Sequence, residues 1–314
     1  MDIQLSMLQF FQSIRSPILN GIFLIFTIST ELPVIVLFVA IMYWCINKKY
    51  GQKMLFSLIG NIALNTGIKE FVRAPRPIGV EGLESLRVST ATGYSFPSGH
   101  TQTGTTFWTS LMIILNKSWM YILGSIMILG IGISRLYLAV HWPIDVIFGW
   151  IFGIVFTILF SKIFDFVDKN KKYYILVLLL IPFVVAAFLL NSAEYIKMFG
   201  LLTGFVLGYI VEDRFIQFNT CNQNKGRINF SRNKTTRFNN RSRISINFYR
   251  FIVGIITLGL VYIVLKYIVI AILIYIRVEN IEMMRMLLDY IRYSLIVFYA
   301  VAGVPALFKV LKLN

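Results

Sequence analysis

The sequence predicts an all-α, polytopic helical membrane protein. Apolar residues make up 57% of the 314 residues and charged residues only 14%, and the mean hydropathy is +0.74. A soluble protein of this length could not hide so much apolar surface in one core. Several apolar runs approach the ~20 residues that cross a bilayer as a helix. They are continuous, whereas the strands of a membrane barrel alternate apolar and polar residues.

The N-terminal residues 1–16 are predicted to form an amphipathic helix that lies in the membrane interface. Leu5, Leu8, Phe11 and Ile14 recur at three-residue spacing, which is typical of one apolar helix face. Residues 17–29 suit a short inserted helix, and their pattern leaves open whether it crosses the membrane. Nine apolar runs follow as predicted spans, near 31–46, 53–71, 99–116, 119–137, 143–164, 173–190, 196–211, 251–276 and 285–308.

The predicted spans divide into a core at 17–168, which carries every motif described below, and an extension at 169–314. The extension adds C-terminal transmembrane helices and a basic loop at 212–250. Between Lys225 and Arg243 this loop holds seven lysines and arginines and no acidic residue, which favours a cytosolic loop. The same charge would attract anionic lipid headgroups, and nucleic acid is not an expected partner.

The distribution of lysines predicts how the chain is oriented in the membrane. Basic residues flank alternate turns, and placing all of them in the cytosol is self-consistent: Lys48, Lys49 and Lys53, then Lys117, then Lys162 to Lys172, then 212–250, then Lys309 and Lys312. The opposite face then holds the loop 72–97, the start of the third span and the end of the fourth. We therefore expect a multi-pass protein whose motifs converge on the extracytoplasmic side of the cytoplasmic membrane.

The only two histidines, His100 and His141, both lie in short motifs whose residue types suit phosphoryl transfer. Each piece alone is weak, because a cation at a span end is usually an anchor that reaches for the headgroups. Three pieces in order on one predicted face indicate a single anion site. The motif residues are Lys69, Arg76 and Pro77; Pro97, Ser98, Gly99 and His100; Ser134, Arg135, His141 and Asp145.

These residue types provide what a phosphate group at a membrane edge requires. Lys69, Arg76 and Arg135 supply fixed cations. Ser98 is a candidate cap of a helix whose first N–H groups would face the phosphate, and Gly99 permits close approach of the backbone.

The spacing of His141 and Asp145 favours covalent catalysis. Four residues apart, they would share one helix face, where the carboxylate orients the imidazole as a nucleophile. His100 is a candidate to protonate the leaving oxygen.

The three motifs resemble the signature of the type 2 phosphatidic acid phosphatase superfamily, which reads K-x6-R-P, P-S-G-H and S-R-x5-H-x3-D. Every position matches, and the resemblance covers residues 17–168. It implies a helical bundle in which His141 forms a phosphohistidine, Asp145 orients it and His100 is the general acid and then the base. Lys69, Arg76, Ser98, Gly99 and Arg135 would bind phosphate, with no metal and no cofactor.

The resemblance implies a lipid phosphatase that hydrolyses undecaprenyl diphosphate, phosphatidic acid or phosphatidylglycerol phosphate. The partners would be an amphiphilic phosphorylated lipid and the surrounding membrane lipids. The composition, rich in Ile, Asn, Lys, Phe and Tyr, hints at a bacterial source. Two alternatives follow from the long extension. The protein could be a phosphotransferase that moves phosphate or a phospho-headgroup to a lipid or glycan acceptor, or the extension could be a transporter-like or partner-binding module.

Overall fold

The computed structural model describes residues 2–220, 235–275 and 281–313, and within these ranges its regular structure is entirely helical. Three π-helical turns, at Met42–Ile46, Glu212–Ile216 and Tyr299–Gly303, continue α3, α9 and α11. The α-helices are α1 (Asp2–Ser13), α2 (Pro17–Ile28), α3 (Leu32–Ile41), α4 (Lys48–Val72), α5 (Gly99–Leu115), α6 (Ser118–Tyr137), α7 (Pro143–Asn170), α8 (Tyr174–Leu190), α9 (Ala193–Val211), α10 (Thr235–Tyr275), α11 (Ile281–Phe298) and α12 (Val304–Val310).

All nine predicted spans are helical, and the predicted polytopic helical membrane fold is confirmed. Among the described residues, five helical stretches are long and apolar enough to cross a membrane: Ser118–Tyr137, Pro143–Asn170, Ala193–Ile216, Ile244–Tyr275 and Ile281–Val310. The pair α1 and α2, bent by 119°, would be a sixth if it forms one broken span. The spans predicted at α3, α4, α5 and α8 stay predictions, because these helices are short or, in α4, rich in polar side chains.

The structure corrects both predicted ends of the basic loop 212–250. Residues Glu212–Ile216 form a π-helical turn that closes α9, and α10 already begins at Thr235. The prediction erred because an apolar run marks only the membrane-embedded part of a helix, whereas arginine, serine and asparagine extend a helix into water at modest cost. Residues 221–234 of the predicted loop lie outside the described residues.

The chain forms two compact units. The first comprises 1–36, 56–170 and 188–195, and the second comprises 37–55, 171–187 and 196–314. The second unit differs from the predicted extension because it includes residues 37–55. Its buried polar contacts explain this: Lys48 Nζ lies 2.8 Å from Glu212 Oε1, and Tyr43 Oη donates to the Val301 carbonyl at 2.6 Å.

Inside the first unit, α5 packs against α6 and α7. The approach to α7 is close at Gly153, where an added Cβ would lie 2.6 Å from the Cβ of Thr105. This contact brings the start of α5 beside the start of α7, and the Ser98 N–H donates to the Asp145 carbonyl at 3.0 Å. The two remaining motifs, at the end of α4 and the end of α6, are held at the same end of this unit by the contacts described next.

Candidate active site

His141 lies in the short turn between α6 and α7, and only 1% of the residue is exposed. Its Nδ1 is 3.3 Å from Oδ2 of Asp145, so the predicted pairing of ring and carboxylate is present. The predicted shared helix face is wrong, because α7 begins only at Pro143, whose ring is suited to the first helical position. Asp145, in the first turn of α7, instead reaches back to a residue that precedes the helix.

The Asp145 carboxylate is fixed by two further donors. The Ser95 hydroxyl donates to Oδ2 at 2.5 Å, and the Trp142 backbone N–H donates to the same oxygen at 2.8 Å. Ser95 is fully buried and also lies 3.3 Å from His141 Nδ1. Ser95 is not predicted from the sequence, because no spacing rule links it to His141 and its only signal is its place three residues before Ser98.

Arg76 connects the loop after α4 to His141. Its Nη1 lies 2.9 Å from His141 Nε2, the nitrogen on the far side of the ring from Asp145. The remaining guanidinium bonds go to backbone carbonyls of Thr92, Gly93, Tyr94 and Val140, at 2.7 to 3.3 Å. One side chain therefore sets both the path of the loop and the surroundings of Nε2.

The surroundings of His141 keep its ring neutral. Burial lowers the pKa of His141 well below its usual range, and the nearby charges of Lys69 and Arg76 lower it further. With the Nδ1 proton directed at Asp145, the lone pair is on Nε2. Burial also lowers the pKa of Arg76, while Asp145 opposes that shift. A neutral imidazole with an oriented lone pair is the form that a nucleophile requires.

Ser98 caps the start of α5 as predicted, but its backbone N–H is not free for a phosphate. Ser98 caps the helix, since its Oγ accepts from Thr101 N at 3.4 Å. Its own N–H is committed to the Asp145 carbonyl, so a phosphate would use the Ser98 hydroxyl. Gly99 lies against α4, where an added Cβ would be 3.5 Å from Asn65 Oδ1 and 3.9 Å from Lys69 Cε. First-turn N–H groups have no acceptor within their own helix, which suits an anion.

Lys69 and His100 differ in how many of their hydrogen bonds are already made within the protein. The Lys69 ammonium donates to the carbonyls of Tyr94 and Ser95. The His100 ring makes no hydrogen bond to any residue that the structure describes, and its charge would act on His141. Lys69 thus helps to hold the loop, and the His100 ring stays available for the proton transfer that the sequence predicts.

Arg135 is buried and keeps two of its hydrogen-bond donors unused within the described chain. The residue is 1% exposed, and its Nη1 donates to the Thr27 hydroxyl at 2.5 Å. Its Nε and Nη2 are buried without a hydrogen-bond partner among the described residues. Buried polar nitrogens are ordinarily satisfied, and two neighbouring guanidinium N–H groups match the oxygens of a phosphate. Two N–H groups of Arg135 are therefore available for the phosphate contact that the sequence predicts.

An apolar groove of about 340 Å³ opens beside Asp145. Trp142 lines it, and the other lining residues are Gln4, Val72, Ala74, Pro75, Phe96 and Ile144. A groove of this composition next to an anion site suits a molecule with a phosphorylated head and an apolar chain.

In a multi-pass helical protein, a buried imidazole set between a carboxylate and a guanidinium is the arrangement that the sequence predicts for a membrane protein of phosphoryl transfer. Residues 51–169 match the sequence model of the PAP2 superfamily, and residues 196–314 match that of the PAP2 superfamily phosphatase transmembrane extension. The chain belongs to the PAP2 superfamily, as its signature indicates.

Characterised relatives share parts of the chain. The undecaprenyl-diphosphatase of Sulfolobus acidocaldarius is 36% identical over 104 residues, which are 33% of this chain and 50% of that protein. Phosphatidylglycerophosphatase B of Bacillus subtilis is 29% identical over 150 residues, or 44% of this chain and 71% of that protein. The crystal structure of Aquifex aeolicus LpxE aligns with a TM-score of 0.46 and 24% identity, covering 51% of this chain and 95% of that one. The chain thus spans half the length of the first of these relatives.

Proposed function

We propose that this protein is an integral membrane phosphatase that hydrolyses a lipid phosphate or diphosphate through a phosphohistidine on His141. The observation that carries the proposal is the setting of that ring, with Nδ1 toward Asp145 and Nε2 toward Arg76. The groove beside Asp145 would hold the lipid chain. The names of the relatives support undecaprenyl diphosphate or phosphatidylglycerol phosphate as the substrate, and phosphatidic acid is a third candidate from the signature alone.

The proposed reaction has two displacements at phosphorus. Nε2 of His141 attacks, the bond from phosphorus to the leaving oxygen breaks, and His100 gives that oxygen a proton. His100 then takes a proton from water, whose oxygen attacks phosphorus as the nitrogen–phosphorus bond breaks, and orthophosphate leaves. Arg76, Arg135, Lys69, Ser98 and the first turn of α5 stabilise the charge on the equatorial oxygens.

We place the site at the extracytoplasmic face of the cytoplasmic membrane. Arg135 ends α6 and Pro143 begins α7, so the opposite ends of these helices lie far from the site. Those ends carry Lys117 and Lys169, and lysines of this kind mark the cytosolic side.

The proposal is tested by phosphate release from purified protein in detergent micelles with EDTA present. A panel of lipid phosphates and diphosphates is compared between the wild type and His141→Ala. We expect release that survives EDTA and is lost in His141→Ala, while His100→Ala slows it by roughly 10²–10⁴-fold. Release that depends on a metal would contradict the mechanism. Transfer to an added lipid or glycan acceptor with little free phosphate would establish the phosphotransferase alternative.

A further inference from the structure

Arg87 belongs to no motif, yet the loop fixes it beside the turn that carries His141. The Leu86 N–H donates to the Leu138 carbonyl at 2.9 Å, and the Ser85 hydroxyl donates to the Ala139 carbonyl at 2.7 Å. Arg87 itself has a φ of 56°, in the left-handed region that costs energy for any residue but glycine. Such backbone conformations persist where the surrounding structure enforces them, and they cluster at ligand sites.

The Arg87 side chain is only partly satisfied. Its Nη2 lies 2.5 Å from Glu31 Oε1 in an ion pair whose two side chains are 24% and 28% exposed. Its Nη1 is buried and has no hydrogen-bond partner among the described residues. Glu31 therefore holds one edge of the guanidinium and leaves the other available to a further anion.

One short segment, from Thr27 to Glu31, binds both Arg87 and Arg135. Thr27 accepts from Arg135, and Glu31, four residues later, accepts from Arg87. The charge of Arg87 also acts on Arg135 and on His100, which places it within the electrostatic reach of the site. The same segment thus anchors both guanidinium groups, and three of their nitrogens are buried without a partner in the described chain, Nε and Nη2 of Arg135 and Nη1 of Arg87.

The arrangement provides more positive charge than one phosphate needs. Lys69, Arg76 and Arg135 all act on His141 through their charges, so a single transferred phosphate already has three cations, and Arg135 can clamp it with two nitrogens. Two arginines near one another with buried, unbonded nitrogens are unfavourable until an anion satisfies them. A second phosphoryl group, bonded to the first, is the anion that would lie next to the Arg135 clamp.

We infer that Arg87, next to the Arg135 clamp, forms a second anion subsite that takes the non-transferred phosphoryl group of a diphosphate. This inference rests on the proposed function, since it assigns the substrate class of that site. It predicts a preference for lipid diphosphates over monophosphates of the same chain. A charge-assisted hydrogen bond of this kind corresponds to roughly tenfold to hundredfold in affinity.

The test compares inorganic pyrophosphate and orthophosphate as ligands of the full-length protein in micelles with EDTA, measured by calorimetry. In Arg87→Gln we expect pyrophosphate affinity to fall roughly tenfold or more while orthophosphate affinity changes less than about twofold. Arg87→Lys should recover part of the pyrophosphate affinity. Arg73→Gln removes an exposed arginine from the same loop and should leave both ligands unaffected.

Failure of the second subsite and failure of the proposed phosphatase function give different results in this experiment. Equal loss of both ligands in Arg87→Gln, or no loss of either, overturns the second subsite even if His141-dependent phosphate release is normal. A wild type that binds neither ligand and releases no phosphate overturns the proposed function itself. If Arg87→Gln fails to fold, the ratio of pyrophosphate to orthophosphate affinity in Arg87→Lys decides, since a purely structural arginine would leave that ratio at the wild-type value.

Discussion

The Nη1 atom of Arg76 lies 2.9 Å from Nε2 of His141, the nitrogen that the proposed reaction uses. A guanidinium only donates hydrogen bonds, so Nε2 must be the acceptor and the ring proton must be on Nδ1, toward Asp145. A phosphate oxygen is the stronger acceptor for this N–H. Substrate binding would therefore draw the donor away from Nε2 and release the lone pair for attack.

Arg76→Gln should change the pH dependence of the reaction as well as its rate. Arg76 is one of the charges that lower the pKa of His141, so its removal should raise that pKa. The ring then takes up its proton at a higher pH, and the acid limb of the profile of kcat/KM against pH should move upward. Turnover should fall by roughly 10²–10³-fold, as for other lost donors to a transition state.

The matched control for this experiment is Arg73→Gln. Arg73 is exposed, and its Nε donates to the Glu70 carbonyl at 2.9 Å. We expect its profile to overlay that of the wild type. An acid limb that stays in place in Arg76→Gln would show that Arg76 does not act on the nucleophile.

Ser95→Ala should lower kcat without a matching change in KM. The Ser95 hydroxyl donates to the Asp145 carboxylate and lies beside Nδ1 of His141, so its loss should loosen the ring that attacks. Positioning partners of this kind typically contribute roughly 10–100-fold. Steady-state kinetics check this, with the exposed Ser89→Ala as control; an increase in KM alone would argue against a positioning role.

Glu212→Leu should destabilise the second unit. Lys48 is 6% exposed and Glu212 is fully buried, so removing the carboxylate leaves a buried ammonium without its partner. The expected loss in the free energy of unfolding is about 3–5 kcal/mol, measured by denaturation in micelles. Adding Lys48→Met should recover part of it. A double variant as unstable as the single one would assign the cost to Gln52 and Phe218 N, the other donors to this carboxylate.

Ile144→Asn should weaken binding of long-chain lipids only. Ile144 lines the groove beside Asp145 and is 42% exposed, so a polar side chain there loses apolar contact with a bound chain. We expect KM to rise about tenfold for a long-chain substrate and to stay unchanged for a short, water-soluble phosphate. Ile147→Asn, at 45% exposure outside the groove lining, is the control. Equal effects on both substrates would exclude the groove as the path of the chain.

Most of the site could be predicted because its residues lie at helix ends with fixed spacing. The cap at Ser98 and the approach of Asp145 to His141 depend on local geometry, which residue order encodes directly. Ser95 and Arg87 could not be predicted, since their partners are set by the path of the loop 73–98. That path depends on backbone bonds such as Leu86 N to Leu138 O, between residues far apart in sequence.

The division of the chain into two compact units could not be predicted either, because it also depends on contacts between residues far apart in sequence. Residues 37–55 precede the core motifs, and hydropathy alone assigns them to the same core. Their place in the second unit rests on bonds such as Lys48 to Glu212 and Trp44 Nε1 to the Ala300 carbonyl. Contacts between residues so far apart in sequence produce no periodic pattern from which they could be predicted.

Helix α1 has apolar residues both on the side buried against the protein and on its exposed side. Leu8 is fully buried, whereas Ile3 is 80% and Phe10 is 60% exposed, and Gln4 both lines the groove and accepts from the Ile144 N–H. A helix of this kind rests on the protein with one side and meets lipid with the other. The packing of the surrounding leaflet would therefore bear directly on one wall of the groove.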